Sequence, residues 1–349
     1  MKLLTIATSM VLVSFSGSAS EIYNKDGSKL DLYGRIKAQR QFTENSNQDK
    51  TFARLGFRGE SNISDKLIGF GQFEYQFNAN QTKENPPGII RLAYAGLKFD
   101  GIGSIDYGTN YGIIYDIGSY ADNFTEFGGD SYQRAYNFMA GRAIGVLTLR
   151  NTTLHDKLKI GLQFQGENAN QTWHKANGKG IGASLEYEVV DSLIIGSAYS
   201  HANHTSDIKS KGYANGNANA WTLGVKYTPS GYYFAATYAE TKNMTPFFDK
   251  RLGKGEGFFL DKTKNIEVVA AYMFDSGVRP SLGYLRSQAN VNGQEMIDVV
   301  KYIQIGASYN LNKNSIVAIG YKINLLSDEM KDYGIAADNH AVASITYQF

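Results

Sequence analysis

Gly180 to Val189 reads GIGASLEYEV. Ile181, Ala183, Leu185, Tyr187 and Val189 fall on one side of an extended chain, and Ser184, Glu186 and Glu188 on the other. A repeat of two with one apolar and one polar side is the mark of a strand between two different media. The same pattern recurs in both directions from this stretch. In Thr51–Glu60 (TFARLGFRGE), Ala53, Leu55 and Phe57 oppose Arg54, Arg58 and Glu60. In Ile266–Phe274, residues Ile266, Val268, Ala270, Tyr272 and Phe274 share a face. In Val299–Leu311, residues Val299, Ile303, Ile305, Ala307, Tyr309 and Leu311 share one against Gln304, Ser308 and Asn310.

Two features turn these strands toward a membrane barrel rather than a soluble sandwich. Each segment is about ten residues long, enough to cross a bilayer when tilted. The polar faces carry Arg, Glu, Gln and Asn repeatedly, as a water-filled lumen allows. Tyr107, Tyr227, Tyr272, Phe274, Tyr309 and Tyr347 lie near segment ends, where interfacial aromatic girdles form. The alternation rule yields about sixteen strands. They begin near Leu30, Thr51, Leu67, Ile90, Gly103, Tyr136, Lys157, Lys179, Ser192, Ala220, Gly231, Thr263, Val278, Asp298, Ser315 and Asn339. Short connections such as Ser64-Asp65-Lys66, Thr228-Pro229-Ser230 and Asn312-Lys313-Asn314 alternate with long ones such as Gly166–Gly178, His201–Asn219 and Glu240–Lys262. That asymmetry predicts periplasmic turns at one end and external loops at the other. The terminal run Ala341–Phe349 alternates to its last residue, which suits closure against the first strand. Closure is required, because an open edge in lipid leaves backbone groups unsatisfied.

Composition agrees. The 349 residues include 37 Gly, 24 Tyr and 19 Phe but only 5 Pro, which favours strands and close turns over long helices. Mean hydropathy is −0.33, and beyond the leader no run approaches the ~18 apolar residues of a membrane helix. The formal charge of +2 makes no case for a nucleic-acid partner. The absence of cysteine excludes disulfides, thiolate nucleophiles and Cys-based zinc sites. His201 and His204 stand three apart without clustered carboxylates, so neither a metal nor any other cofactor is expected, and no Ser/His/Asp arrangement suggests an enzyme. Met1–Ser20 has a charged start, an apolar middle, and Ser18 and Ser20 before Glu21, and it reads as a secretory signal peptide. No boundary supports a second domain, so residues 21–349 are expected to form one barrel.

One stretch breaks the pattern. Tyr111–Asp130 (YGIIYDIGSYADNFTEFGGD) is long, aromatic and acidic, with Asp116, Asp122, Glu126 and Asp130. A long irregular connection inside a regular chain is usually functional. Folded into the hollow, at about residues 111–135, it would set its acids against basic residues such as Arg54. As an ordinary external loop its acids would simply be solvated, and Arg54 and Arg91 would be lumenal charges away from any narrowing.

The chain also resembles the general diffusion porins of enterobacterial outer membranes, the OmpF/OmpC type. The resemblance rests on Glu21–Gly27 (EIYNKDG), Asp31–Gly34 (DLYG), Ala53–Phe57 (ARLGF), Asp106–Gly108 (DYG), Glu126–Asp130 (EFGGD) and the terminal Tyr347-Gln348-Phe349, and it covers essentially the mature chain. It implies an all-β, 16-stranded antiparallel transmembrane barrel with an inward-folded third external loop, assembled as a homotrimer in the outer membrane of a Gram-negative bacterium. The partners it implies are lipids and lipopolysaccharide outside, and small hydrophilic solutes and ions within. Carried over by motif, the constriction acids are Asp122 and Glu126, with Asp130 and Glu74 close by. The facing bases are Arg35, Arg54, Arg91 and Arg142, and Tyr111 and Tyr115 line the rim. A mild cation preference follows from the loop acids. Gly141 stands where phosphate-preferring relatives carry a lysine, which counts against anion specialisation. Lys37 and Arg40 add positive charge to the first strand, and their reach into the pore is not set by the motif.

Overall fold

The computed structural model describes residues 20–44, 46–80, 88–151, 157–253, 255–291 and 296–349. The leader read at Met1–Ser20 therefore lies, apart from Ser20, outside the described residues. The wall consists of sixteen strands: β1 Ser28–Phe42, β2 Phe52–Ser64, β3 Leu67–Asn78, β4 Gly88–Phe99, β5 Gly103–Tyr111, β6 Arg142–Asn151, β7 Leu158–Gln165, β8 Gly180–Val190, β9 Leu193–Ala202, β10 Ala218–Tyr227, β11 Tyr232–Lys242, β12 Lys262–Tyr272, β13 Val278–Ala289, β14 Ile297–Asn310, β15 Ser315–Asn324 and β16 His340–Gln348. Each pairs antiparallel with its sequence neighbours. Every strand start but one falls within two residues of the position expected from alternation. The exception is β6, which begins at Arg142 rather than near Tyr136. Residues 136–141 alternate by chance while forming the return limb of the long connection, where Phe138 and Met139 are buried.

Closure uses both chain ends. Arg35–Phe42 of β1 pair with Ala341–Gln348 of β16. The remainder of the same edge, Ser28–Leu32, pairs with a short strand at Ser20–Lys25. The two segments meet at Gly34, whose N–H donates to the Phe349 carbonyl (2.9 Å) and whose carbonyl accepts from the Phe349 N–H (3.0 Å). A Cβ at Gly34 would lie 2.5 Å from the Arg54 carbonyl oxygen and 2.8 Å from the Phe349 ring, so only glycine admits this junction. Both parts of the β1 edge are thus paired, as a barrel in lipid requires.

The outward faces are apolar and exposed: Ile181, Leu185, Leu223, Phe234, Leu282, Ile305 and Ile345 are each at least 40% accessible. Tyr107, Tyr227, Phe274, Tyr309 and Tyr347 also point outward. The inward faces hold polar residues that are nonetheless buried, among them Gln163, Ser184, Thr222, Glu267 and Gln304. A soluble protein shows the reverse arrangement.

Several β-bulges interrupt the wall, and two of them re-aim a side chain that matters here, as an extra residue in one strand does. In β4, Tyr75 pairs with Ile90 and Glu74 with Leu92, leaving Arg91 as the extra residue. In β14, Ser287 pairs with Val300 and Gln288 with Asp298, leaving Val299. Val299 was expected on the outer face with Ile303 and Ile305. It is instead buried with Phe247, Leu260, Ala289 and Val291.

Candidate functional site

The connection from β5 to β6 is pinched at its base. The Gly112 N–H donates to the Gly141 carbonyl (2.6 Å) and the Ile114 N–H to Met139 (3.0 Å). A turn of helix follows at Tyr115–Gly118. From there the segment runs along the polar inner face of the wall. Its apolar residues sit where that face carries glycine. Ile113 lies over Gly161 and Gly182, Ile117 and Tyr120 over Gly196 and Gly224, Phe124 over Gly283, and Thr125 over Gly306. These glycines come from β7, β8, β9, β10, β13 and β14, so the missing side chains form a shallow track across much of the ring. Without Cβ atoms the backbone of the wall can be approached closely.

Polar pins hold the segment in that track. Arg150 of β6 donates two hydrogen bonds to the Asp116 carboxylate (2.7 and 2.8 Å), and Ser184 Oγ donates a third (2.6 Å). A bidentate guanidinium–carboxylate pair fixes orientation as well as distance. Tyr120 donates to Glu186 (2.5 Å), and its own carbonyl accepts from Tyr233 (2.7 Å). Gln163 accepts from the Ile113 N–H and donates to the Tyr111 carbonyl (both 2.9 Å). Ser131 and Gln133 both donate to the fully buried Glu267 of β12. The Phe127 N–H donates to Gln304 of β14 (3.1 Å). Glu126 reaches the closing seam of the barrel, accepting from Lys37 (2.7 Å) and Gln39 (2.8 Å) of β1 and from Ser344 of β16 (2.5 Å).

The expected bases gather on β1, β2 and β4. Arg35 and Arg54 are directly opposite in the β1–β2 ladder, an arrangement that by itself repels. Two features offset it. Both guanidiniums lie near the Phe52 ring, at 5.3 and 5.6 Å from its centroid. Glu74 of β3 is ion-paired with Arg91 and, at 3.6 Å, with Arg54. Arg54 also donates to Gln76 (2.8 Å). Tyr33 donates to Glu74 (3.2 Å), and a chain of hydrogen bonds continues through Gln72 to Tyr94. Arg91 reaches Glu74 only because of the bulge, since strict alternation would group it with the outward Ala93 and Leu97. Arg142 stands at the start of β6 with its guanidinium 4.9 Å from the Tyr136 ring centre.

Of the acids on the connection, Asp122 accepts from Tyr115 (2.6 Å) and Asp130 from Tyr302 of β14 (3.1 Å). Burial pushes the Asp122 carboxyl above the usual carboxylate range, against the hydrogen bond from Tyr115. Tyr111 and Tyr115 stack with ring centres 4.8 Å apart and planes 9° from parallel. The structure thus places Glu74 among the arginines, and Asp122 and Asp130 on the connection. It also withdraws Glu126 from water, because its side chain has no accessible surface and is paired with Lys37. Sequence reasoning passed over Arg150, Glu186, Glu267 and the glycine track. Alternation could have placed all of them on inward faces, but not against this segment. Among the described residues no cluster of His, Asp and Glu could hold a metal ion.

A closed barrel, apolar outside and polar inside, with a long segment pinned to its inner wall, is the architecture of an outer-membrane channel. The family model for Gram-negative porins matches residues 25–349. The outer membrane porin protein OmpD of Salmonella typhimurium strain LT2 is 43% identical over all of this chain and 99% of its own. Outer membrane protein F of Serratia marcescens is 42% identical over 99% of each chain. Among solved structures, Salmonella typhi OmpF in complex with daunomycin superposes with a TM-score of 0.88 at 40% identity, covering 95% of this chain and all of that one. The chain belongs to the Gram-negative porin family. It is an outer-membrane protein of the Gram-negative envelope and forms a channel for passive diffusion of small hydrophilic solutes.

Proposed function

We propose that the segment between β5 and β6 sets the narrowest part of the channel, and that solutes are sorted there by size and by a transverse field. The observation carrying this reading is the opposition of Arg35, Arg54 and Arg91 on β1, β2 and β4 to a carboxylate-bearing segment pinned to the remaining wall. Low-dielectric walls focus the field between such rows. Arginines keep their charge at any relevant pH, and charged rings at a narrowing are the general device of channel selectivity. Glu74, Asp122, Asp130, Arg142, Tyr111 and Tyr115 complete the lining in this reading.

Ion preference has two readings. Asp122 and Asp130 favour a mild cation preference. The Lys37–Glu126 pair and the two guanidiniums on Glu74 favour a weak anion preference. Reversal potentials in planar bilayers under a salt gradient decide between them, and clear chloride preference overturns the first. Swelling of proteoliposomes in small sugars tests the channel itself, because a plugged scaffold gives none.

Trimeric assembly and a lipopolysaccharide neighbour belong to the same proposal. At the external end of β11 to β14, Lys262 pairs with Glu240 (2.9 Å), and Arg286 and Lys301 pair with Asp298 (2.7 and 2.9 Å) on the lipid-facing side. Such a belt suits phosphorylated headgroups. Three equal closing steps in single-channel records are expected of a trimer, and single steps would sink it. The function is transport without catalysis, and labelling of a reactive serine by an active-site inhibitor would contradict that.

A further inference from the structure

Four acids and four arginines were expected at the narrowing. The structure adds a fifth cation. Lys37 is two residues beyond Arg35 on β1 and therefore shares its inward face. Its ammonium lies 2.7 Å from Glu126, and its side chain is 16% accessible. Glu126 also accepts from Gln39 and Ser344, so its carboxylate is engaged on β1 and β16 at the far end of the segment's track.

We propose that Lys37 determines the ion preference of this channel by cancelling Glu126 in the field across the gap. This rests on the reading of the β5–β6 segment as the constriction. Two opposite unit charges 2.7 Å apart act on an ion in mid-channel as a small dipole, because their Coulomb terms fall with distance and nearly cancel. Glu126 then contributes little to that field. Both partners are largely withdrawn from water, so salt screens the pair weakly. The lysine is bound to a rigid strand and the glutamate to the segment, so one contact both neutralises the acid and anchors the segment's tip.

The test is the zero-current potential of the purified channel in a planar bilayer under a potassium chloride gradient, for wild type, Lys37→Met, Lys37→Arg and Glu126→Gln. Lys37→Met unmasks Glu126 and is expected to raise the cation-to-anion permeability ratio about two- to fivefold. Lys37→Arg keeps the charge and is expected to stay at the wild-type potential. Glu126→Gln releases the lysine charge and moves the potential toward anions. Sugar-swelling rates are read in parallel. A Lys37→Met channel with altered swelling but the wild-type potential makes Lys37 a mere brace and overturns the proposal. So does a Lys37→Arg shift as large as that of Lys37→Met. If Lys37→Met does not assemble, Glu126→Gln decides, and an unmoved potential there rejects the idea. A wild-type preparation that neither conducts nor swells refutes the channel reading itself, before any variant is compared.

Discussion

Arg91 departs from the parity of its strand and Glu126 from the role its motif implies, each for a local reason. Arg91 has the parity of an outward residue, and a single unpaired position in β4 turns it to Glu74. Glu126 has the motif of a pore acid, and a lysine on β1 captures it. The two acids Asp122 and Glu126 are therefore expected to behave differently when neutralised. Asp122→Asn keeps an acceptor for Tyr115 and removes a charge that burial already disfavours, so stability should change little. Glu126→Gln leaves Lys37 without its partner on a half-dry wall, at a cost of roughly 1–3 kcal/mol. The double variant should shift the reversal potential toward anions, with the loss in thermal midpoint coming from Glu126→Gln alone. An equal loss from each single variant would contradict this assignment.

At the scale of elements, the β5–β6 connection owes its path to two features that act together. Glycines on the wall let it lie close, and charged or hydroxyl groups on the neighbouring strands pin it. Its base is the least forgiving point. A Cβ at Gly112 would overlap the backbone of Met139, which has no freedom to move aside. Gly112→Ala is expected to cost about 1–3 kcal/mol as an overpacked site and to raise current noise by loosening the β5–β6 segment. Quiet, wild-type single-channel traces would show that the base tolerates the methyl group.

The base also leans on the external loops. Phe138 packs edge-on against His204 and Phe259, with ring centres 5.0 and 5.5 Å apart. His204 donates from Nε2 to the Asn243 carbonyl (2.8 Å), and burial pushes its pKa down to about 4. A histidine depressed in the folded state contributes stability above its unfolded value of ~6.5, and that contribution is lost as pH falls through about 4. Protease cleavage of the loops after β9 and β11 is therefore expected to rise between pH 6.5 and 4, and His204→Gln should flatten the response. The same rise in the variant would assign it to other groups.

At the scale of the whole molecule, a closed ring of backbone hydrogen bonds is joined to an apolar cluster that the β5–β6 segment buries against the inner wall. The seam at Gly34 and Phe349 joins both chain ends to β1. Removing residues 347–349 should leave part of that edge unpaired in lipid, where each unsatisfied group costs several kcal/mol. The truncated chain is expected to lose the heat-dependent electrophoretic shift of a folded barrel, whereas retention of that shift would show that the Ser20–Lys25 segment suffices for closure.

Alternation, segment length and turn composition determined the barrel, its strand number and which residues face lipid, because those depend on backbone geometry and the medium on each side. Fifteen of the sixteen strand starts were legible for this reason. The start of β6 was not, because six residues of the return limb imitate alternation while packing as a loop. Motif resemblance named the charged residues of the narrowing but not their partners. Only the tertiary structure decided that a bulge turns Arg91 to Glu74, that Asp116 and Glu267 are anchors, and that Glu126 is spent on Lys37. Those outcomes depend on contacts between residues 17 to 136 positions apart. Ion pairing over 2–3 Å is set by the shape of the closed ring, and a period of two along the chain carries no record of it.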